Sequence, residues 1–407
     1  MTKILLQLFF IVSITFASPL QKAIDNADAY ATLKLPAGLY LGNVTINKPL
    51  TIIGKDKSVV IDGDGSGSVV TISSSHVILQ NITITNSGNK MDKIDSAIAM
   101  KNVKQCEINS CRILNSLYGI DMLMVNDSVI ANNYITSKKN DIDLRGDALK
   151  IWYSNNNVIK NNTIENARDV TLSYSNNNMI DNNTFLNNRF AIHMSLSNQN
   201  ILKNNSFKYN SVGIMVMGSK KSELIHNDIQ SCKGAAGIGV VLKGVSNLLF
   251  EKNSVKFNAQ GIYLDTKHNE EGMQRRIINN VIAYNKEAFH FHGAIKNNTM
   301  VNNAIYANID DVVKSAKSDV TYLNVVERNY WDKYAGFDKD GDNTGDTPHK
   351  IYQYADQLWH YNHKVKFFYA SPVMTLLNFL ANLAPFVEPV LIIEDKKPLM
   401  RATDSLY

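Results

Sequence analysis

Apolar residues alternate with polar ones in short runs along most of the chain, and each run ends in a pair of polar residues. Asn157-Val158-Ile159-Lys160-Asn161-Asn162-Thr163-Ile164 is representative: Ile159 and Ile164 point one way while short polar residues take the bend between them. The paired phrase returns as Asn132-Asn133, Asn161-Asn162, Asn182-Asn183, Asn204-Asn205, His226-Asn227, Lys252-Asn253 and Asn279-Asn280. Its second member recurs at intervals of 29, 21, 22, 22, 26 and 27 residues. A floor of about 22 residues fits one turn of a solenoid built from short strands. Asn suits the corners, because it tolerates left-handed backbone angles and its amide can hydrogen-bond nearby main chain. Asn above Asn then makes a ladder.

Fainter copies at Gln80-Asn81, Ser110-Cys111, Asn302-Asn303 and Arg328-Asn329 extend the array. The pattern predicts an all-β, right-handed parallel β-helix of about eleven coils over residues 32–335, a rod on the order of 50 Å long at roughly 4.8 Å per coil. Leu20, Ala23, Ile24 and Ala27 recur at helical spacing and predict an N-terminal capping helix over 18–31. Residues 336–351 read as an acidic loop and 352–407 as a C-terminal helical extension. In that extension Val373, Leu376, Leu377, Leu380 and Leu383 form an apolar stripe, ended by Pro385 and followed by Phe386. This segment either caps the last coil or docks on a partner.

Lys3, the apolar stretch Ile4 to Phe16, and small Ala17 and Ser18 have the layout of a Sec signal peptide over 1–17. The apolar stretch holds about 13 residues where a membrane span needs about 20. Composition adds limits. A net charge of +5 spread without a dense basic run argues against nucleic acid as a partner. Three cysteines, Cys106, Cys111 and Cys232, are too few for a disulfide framework, and Cys111 and Cys232 read as small core residues.

Aligning the strand that follows each ladder gives an apolar second and fourth position throughout, so the third and fifth face outward on one shared sheet. The third column reads Asp121, Lys150, Thr171, His193, Met215, Val241, Tyr263, His290, and the fifth contains Trp152, Met217, Asp265 and His292. His193 and Met215 fall on adjacent coils, with Met217 two residues further along. One imidazole and two thioethers form a soft set that suits Cu(I) and neglects Mg²⁺ and Ca²⁺. The plainer alternative is surface His and Met touching a partner or the chain's own tail. His290 and His292 lie about three coils away, too far to share an ion with His193, and are candidates for a second copper contact.

Asp338, Asp340, Asp342 and Asp346 alternate with glycine and polar residues, so the loop is either a Ca²⁺ site or a solvated acidic turn. The rival function is a secreted polysaccharide lyase, hydrolase or epimerase. Such chemistry needs paired carboxylates or a base opposite the substrate acid. Exposed acids within the coils are expected only at Asp141, Asp143 and Asp147 beside Arg145 and at Asp310-Asp311; Asp121 and Asp265 on the outer face are about six coils apart. No paired site emerges.

Four stretches carry a further resemblance: Arg145-Gly146-Asp147-Ala148-Leu149-Lys150-Ile151-Trp152; Ala191-Ile192-His193-Met194; Asn329-Tyr330-Trp331-Asp332 with Phe337 to Asp342; and the tail from Ser371-Pro372-Val373 to Pro398-Leu399-Met400. Through them the chain resembles the NosD family of periplasmic nitrous oxide reductase maturation proteins over nearly its whole length. The resemblance implies a non-enzymatic accessory subunit, peripheral to the membrane, that works with an ABC-type ATPase and permease and a copper chaperone to deliver transient Cu(I), or sulfur, to nitrous oxide reductase. It also implies family histidines at His193 and His290 and a family Met at Met217. Ser195 stands where a Met is expected, with Met215 as its replacement from the neighbouring coil. The apolar helix and Trp152 become candidate partner contacts.

Overall fold

A computed structural model describes residues 18–265, 274–315, 321–353, 371–383 and 390–402. The expected signal segment and Phe386 lie outside them. The chain winds into a right-handed parallel β-helix with two sheets of thirteen strands and one of twelve, so twelve turns are complete. The pairing is in register from rung to rung, as in Ile159 beside Ile130 and Ile180. Eleven coils were expected; the earliest turns lack the Asn phrase and use Gly corners. At Gly54 an added Cβ would sit 2.3 Å from the carbonyl oxygen of Asn81, so no side chain fits there.

The two residues of each pair divide the corner's work. The first takes the left-handed conformation, with φ of 58° at Asn132, 56° at Asn161 and 53° at Asn182, and the same angle is imposed on His226, Lys252 and Arg328. The second turns inward, fully buried, and its side-chain oxygen accepts the backbone N–H of its counterpart one coil earlier. From Asn133 to Asn329 these bonds measure 2.8 to 3.1 Å. Cys111 takes the ladder position of the coil before Asn133, its N–H donating to Asn133 Oδ1. Buried amides are thereby satisfied where the strand ladders stop. The lumen between corners is filled by stacked apolar side chains, including Phe185 on Phe207 with ring centroids 4.8 Å apart.

The first coil is closed by the helix Pro19–Asn26, capped by Ser18 Oγ and burying Leu20 and Ile24. The far end is closed differently from expectation. The tail beyond 352 is not wholly helical: after the helix Pro372–Leu383, the strand Val390–Asp395 returns and pairs antiparallel with His349–Gln353. Its β-branched apolar run, Val390-Leu391-Ile392-Ile393, buries Ile392 and Ile393 against the last coil. Asp395, fully buried, ends the Asn ladder by accepting Asn329 N, Asn329 Nδ2 and Trp331 Nε1 through one oxygen and Lys397 N through the other.

Asp311 was expected to be exposed and is buried, because the strand Asp310–Lys314 turns it under Lys333, 3.4 Å away. Burial pushes its carboxyl up to about 6, against the pull of Lys333. A carboxyl that holds its proton more tightly folded than unfolded costs stability above that value, and the cost fades as pH falls toward the ordinary carboxylate range. Asp311→Asn is therefore expected to stabilise the protein at pH 7.5 by about 1–3 kcal/mol, and by much less at pH 4.5. Thermal melts at both pH values check this; equal shifts at the two would contradict it.

Candidate functional site

The outer face of the twelve-stranded sheet carries the side chains that alternate with the lumen residues. Met194 and Val216 fill the interior, and His193, Ser195, Met215 and Met217 project outward, each partly exposed. Register places His193 beside Met215 and Ser195 beside Met217 on the adjoining strands Phe190–Ser195 and Val212–Met217. His193 has a specific peculiarity. Its Nε2 is shielded from solvent and has no hydrogen-bond partner. Burial holds the imidazole below its ordinary pKa, with Asp169 and Asp147 pulling the other way. The ring is neutral at neutral pH, the form that binds a metal.

Beside it lies an ion network missed in the sequence. Asp147, placed there among exposed acids, is buried: Arg168 donates to its Oδ1 at 2.7 Å and Thr171 Oγ1 to its Oδ2 at 2.8 Å. Arg168 also lies 3.3 Å from Asp169, which Arg189 grips through Nε and Nη2 at 3.0 and 2.5 Å. The members stack at coil spacing, Asp147 to Arg168 and then Arg189, each 21 residues on. That interval was visible in the sequence, but it runs through coil corners rather than the aligned strand columns. Asp121 and Asp265 also differ from expectation. Both are buried, with Lys150 and Lys243 lying over them at 3.9 and 3.8 Å. Burial raises the Asp121 carboxyl more than Lys150 lowers it.

A family profile described as "Periplasmic copper-binding protein (NosD)" matches residues 132–336, about half of the chain. The chain belongs to the NosD family. A relative from Pseudomonas aeruginosa named "Probable ABC transporter binding protein NosD" is 28% identical over 413 residues, covering 95% of this chain and 92% of its own. A second of the same name, from Stutzerimonas stutzeri, is 29% identical over 387 residues, covering 90% and 86%. Among solved structures, a mannuronic acid specific polysaccharide family 6 lyase from human gut microbiota matches with a TM-score of 0.54 at 12% identity, covering 77% of this chain and 84% of its own. The Dettilon tailspike protein matches with 0.52 at 15% identity, covering 72% and 63%. These two likenesses concern the fold alone.

The NosD match contains His193, Met215, Met217, His290 and His292 and stops just before the acidic loop. The pair His290 and His292 is placed unlike His193. His290 is buried with both ring nitrogens engaged, Nδ1 at 2.6 Å from Glu287 Oε2 and Nε2 at 3.0 Å from Ser315 Oγ, and His292 Nδ1 lies 3.1 Å from the same hydroxyl. In the loop, Asp338, Asp340 and Asp342 bring carboxylate oxygens within 4.8 Å of one another. Asp346 is outside that group and accepts Lys339 N instead, while Asp338 accepts the amides of Gly341 and Asn343. Of the candidate partner contacts, Trp152 is exposed, with Lys150 Nζ 4.1 Å above its ring. Val373, Leu376 and Leu380 are exposed on the helix that also contains Leu377 and Leu383, and Phe379 joins them. Among the described residues no helix is long and apolar enough to cross a membrane.

Proposed function

We propose that this NosD-family chain is a periplasmic delivery protein, not a polysaccharide-active enzyme, that accepts Cu(I) on His193, Met215 and Met217. In this reading it works with an ABC-type permease and ATPase and a copper chaperone in maturing the copper clusters of nitrous oxide reductase. The observation that carries it is the buried, unpartnered Nε2 of His193, rung-paired with a thioether. A buried polar atom without a partner is costly unless something completes it, and a soft cation matches a site of imidazole and thioethers. Copper here is cargo, so the chain's task is to bind it reversibly and present it. Neighbouring His193, the Asp147–Arg168–Asp169–Arg189 network fixes the corner from which the strand emerges. The exposed apolar face of the helix Pro372–Leu383 is the candidate surface for the transporter or the membrane.

Cu(I) titration against a competing chelator tests the reading. The wild type should take up one ion, and His193→Ala with Met215→Ala should weaken binding on the order of 100-fold. Unchanged affinity in that double variant would remove the site. Release of unsaturated or reducing ends from uronate polymers would overturn the delivery reading.

A further inference from the structure

Four coils from His193, the strand Glu287–His292 and the end of the strand stacked on it hold a linear chain of proton-carrying groups. Glu287 Oε2 is 2.6 Å from His290 Nδ1, and across the ring His290 Nε2 is 3.0 Å from Ser315 Oγ. The carboxylate and imidazole are 7% and 5% exposed, whereas Ser315 is half-buried, so the relay is shielded and its hydroxyl end is reachable. Gln260 Nε2 donates to Glu287 Oε2 at 2.9 Å, and the Tyr263 ring stacks on His290 with centroids 5.1 Å apart, which together fix carboxylate and ring. Ser315 is fixed in turn by its N–H donating to Phe291 O at 3.0 Å. A carboxylate facing Nδ1 holds the proton on that nitrogen and leaves Nε2 to accept the serine proton. This order of groups, carboxylate to imidazole to hydroxyl, defines a nucleophilic triad by geometry and role on any fold.

We propose that Ser315, His290 and Glu287 form a nucleophile, general base and orienting carboxylate that cleave small carboxylic esters. Ser315 Oγ adds to the acyl carbon and its proton passes to His290 Nε2. The bond from that carbon to the alkoxy oxygen breaks as Nε2 returns the proton to the departing alcohol. A water, deprotonated by the same nitrogen, then releases the carboxylic acid and restores Ser315. His292, whose Nδ1 is 3.1 Å from Ser315 Oγ, is a second imidazole beside the attacking oxygen.

The test uses the full metal-free protein, so its outcome does not depend on copper binding at His193. A fluorophosphonate probe followed by intact-protein and peptide mass spectrometry should give one adduct, on Ser315, and Ser315→Ala should give none. Glu287→Gln should slow labelling and p-nitrophenyl acetate hydrolysis at least tenfold. Thermal melts of both variants separate loss of chemistry from loss of fold; Ser315→Ala, at a half-buried strand end, is the variant expected to melt like wild type. No adduct on the folded wild type, an adduct at another residue, or equal hydrolysis by Ser315→Ala would overturn the proposal.

Discussion

Asn205→Ala is expected to lower the stability of the rod by about 3–5 kcal/mol, the largest effect of any single corner substitution of similar size. Asn205 sits mid-ladder and fully buried. Its Oδ1 accepts both Asn183 N and Asn183 Nδ2, and its own Nδ2 donates to Ile180 O and Asn227 Oδ1. Alanine leaves the buried Asn183 N without its partner, at roughly 1–3 kcal/mol before relaxation, and takes one bond each from Asn183 Nδ2, Ile180 O and Asn227 Oδ1. Because each coil contacts only its neighbours, the damage should be local at first. Hydrogen exchange should show the coils around 183–227 opening before the ends of the rod. By contrast, Asn204→Ala replaces the left-handed member of the pair, whose side chain donates to the partly exposed Asp181, and should cost on the order of 1 kcal/mol. Comparable melts for the two variants would contradict the division of labour between the paired residues.

Asp395→Ala should be nearly as severe and should act at one end. Three donors from the last coil and one from the tail converge on this carboxylate, all within a buried pocket beside Trp331. Removing it unpairs Asn329 N, Trp331 Nε1 and Lys397 N together and leaves Asn329 Nδ2 with Met300 O, a loss of about 3–4 kcal/mol after relaxation. The tail then keeps only its strand pairing, main-chain bonds and apolar contacts to the rod, and limited proteolysis should cut residues 390–402 faster than in the wild type. Asp395→Asn supplies the same acceptor that every other ladder position uses, so it should recover much of the loss. An alanine variant with an intact, protected tail would show that the strand pairing with His349–Gln353 alone makes the cap.

The coil repeat and the facing of the strands were legible because they depend on local chemistry. A left-handed corner followed by an inward amide leaves its mark on two consecutive residues, and strand alternation does the rest. That is why Met215 could be set beside His193 from sequence alone, and register bears the placement out. Other ladders were equally written in the chain. Ser154, Ser175, Ser197 and Ser219 form one, and Asn188 with Asn210 belongs to another. They went unread because their residues are common and their phrases less distinctive.

What failed was anything decided by the far side of a contact. Asp121, Asp147 and Asp311 look like surface acids in sequence, and each is buried because a cation from the next coil lies across it. The return of the tail was hidden for the same reason. Asp395 meets Asn329 across 66 residues, and no local pattern records that a carboxylate will substitute for the next asparagine. The helical reading of 352–407 extended a true pattern at Pro372–Leu383 over a segment whose Val390-Leu391-Ile392-Ile393 run favours strand.

Copper K-edge X-ray absorption on the Cu(I)-loaded chain tests the central claim most directly. The account predicts one imidazole nitrogen with sulfur scatterers, the sulfur contribution falling in Met215→Ala and the nitrogen contribution in His193→Ala. A first shell of nitrogen and oxygen alone, or a spectrum unchanged by both substitutions, would contradict it.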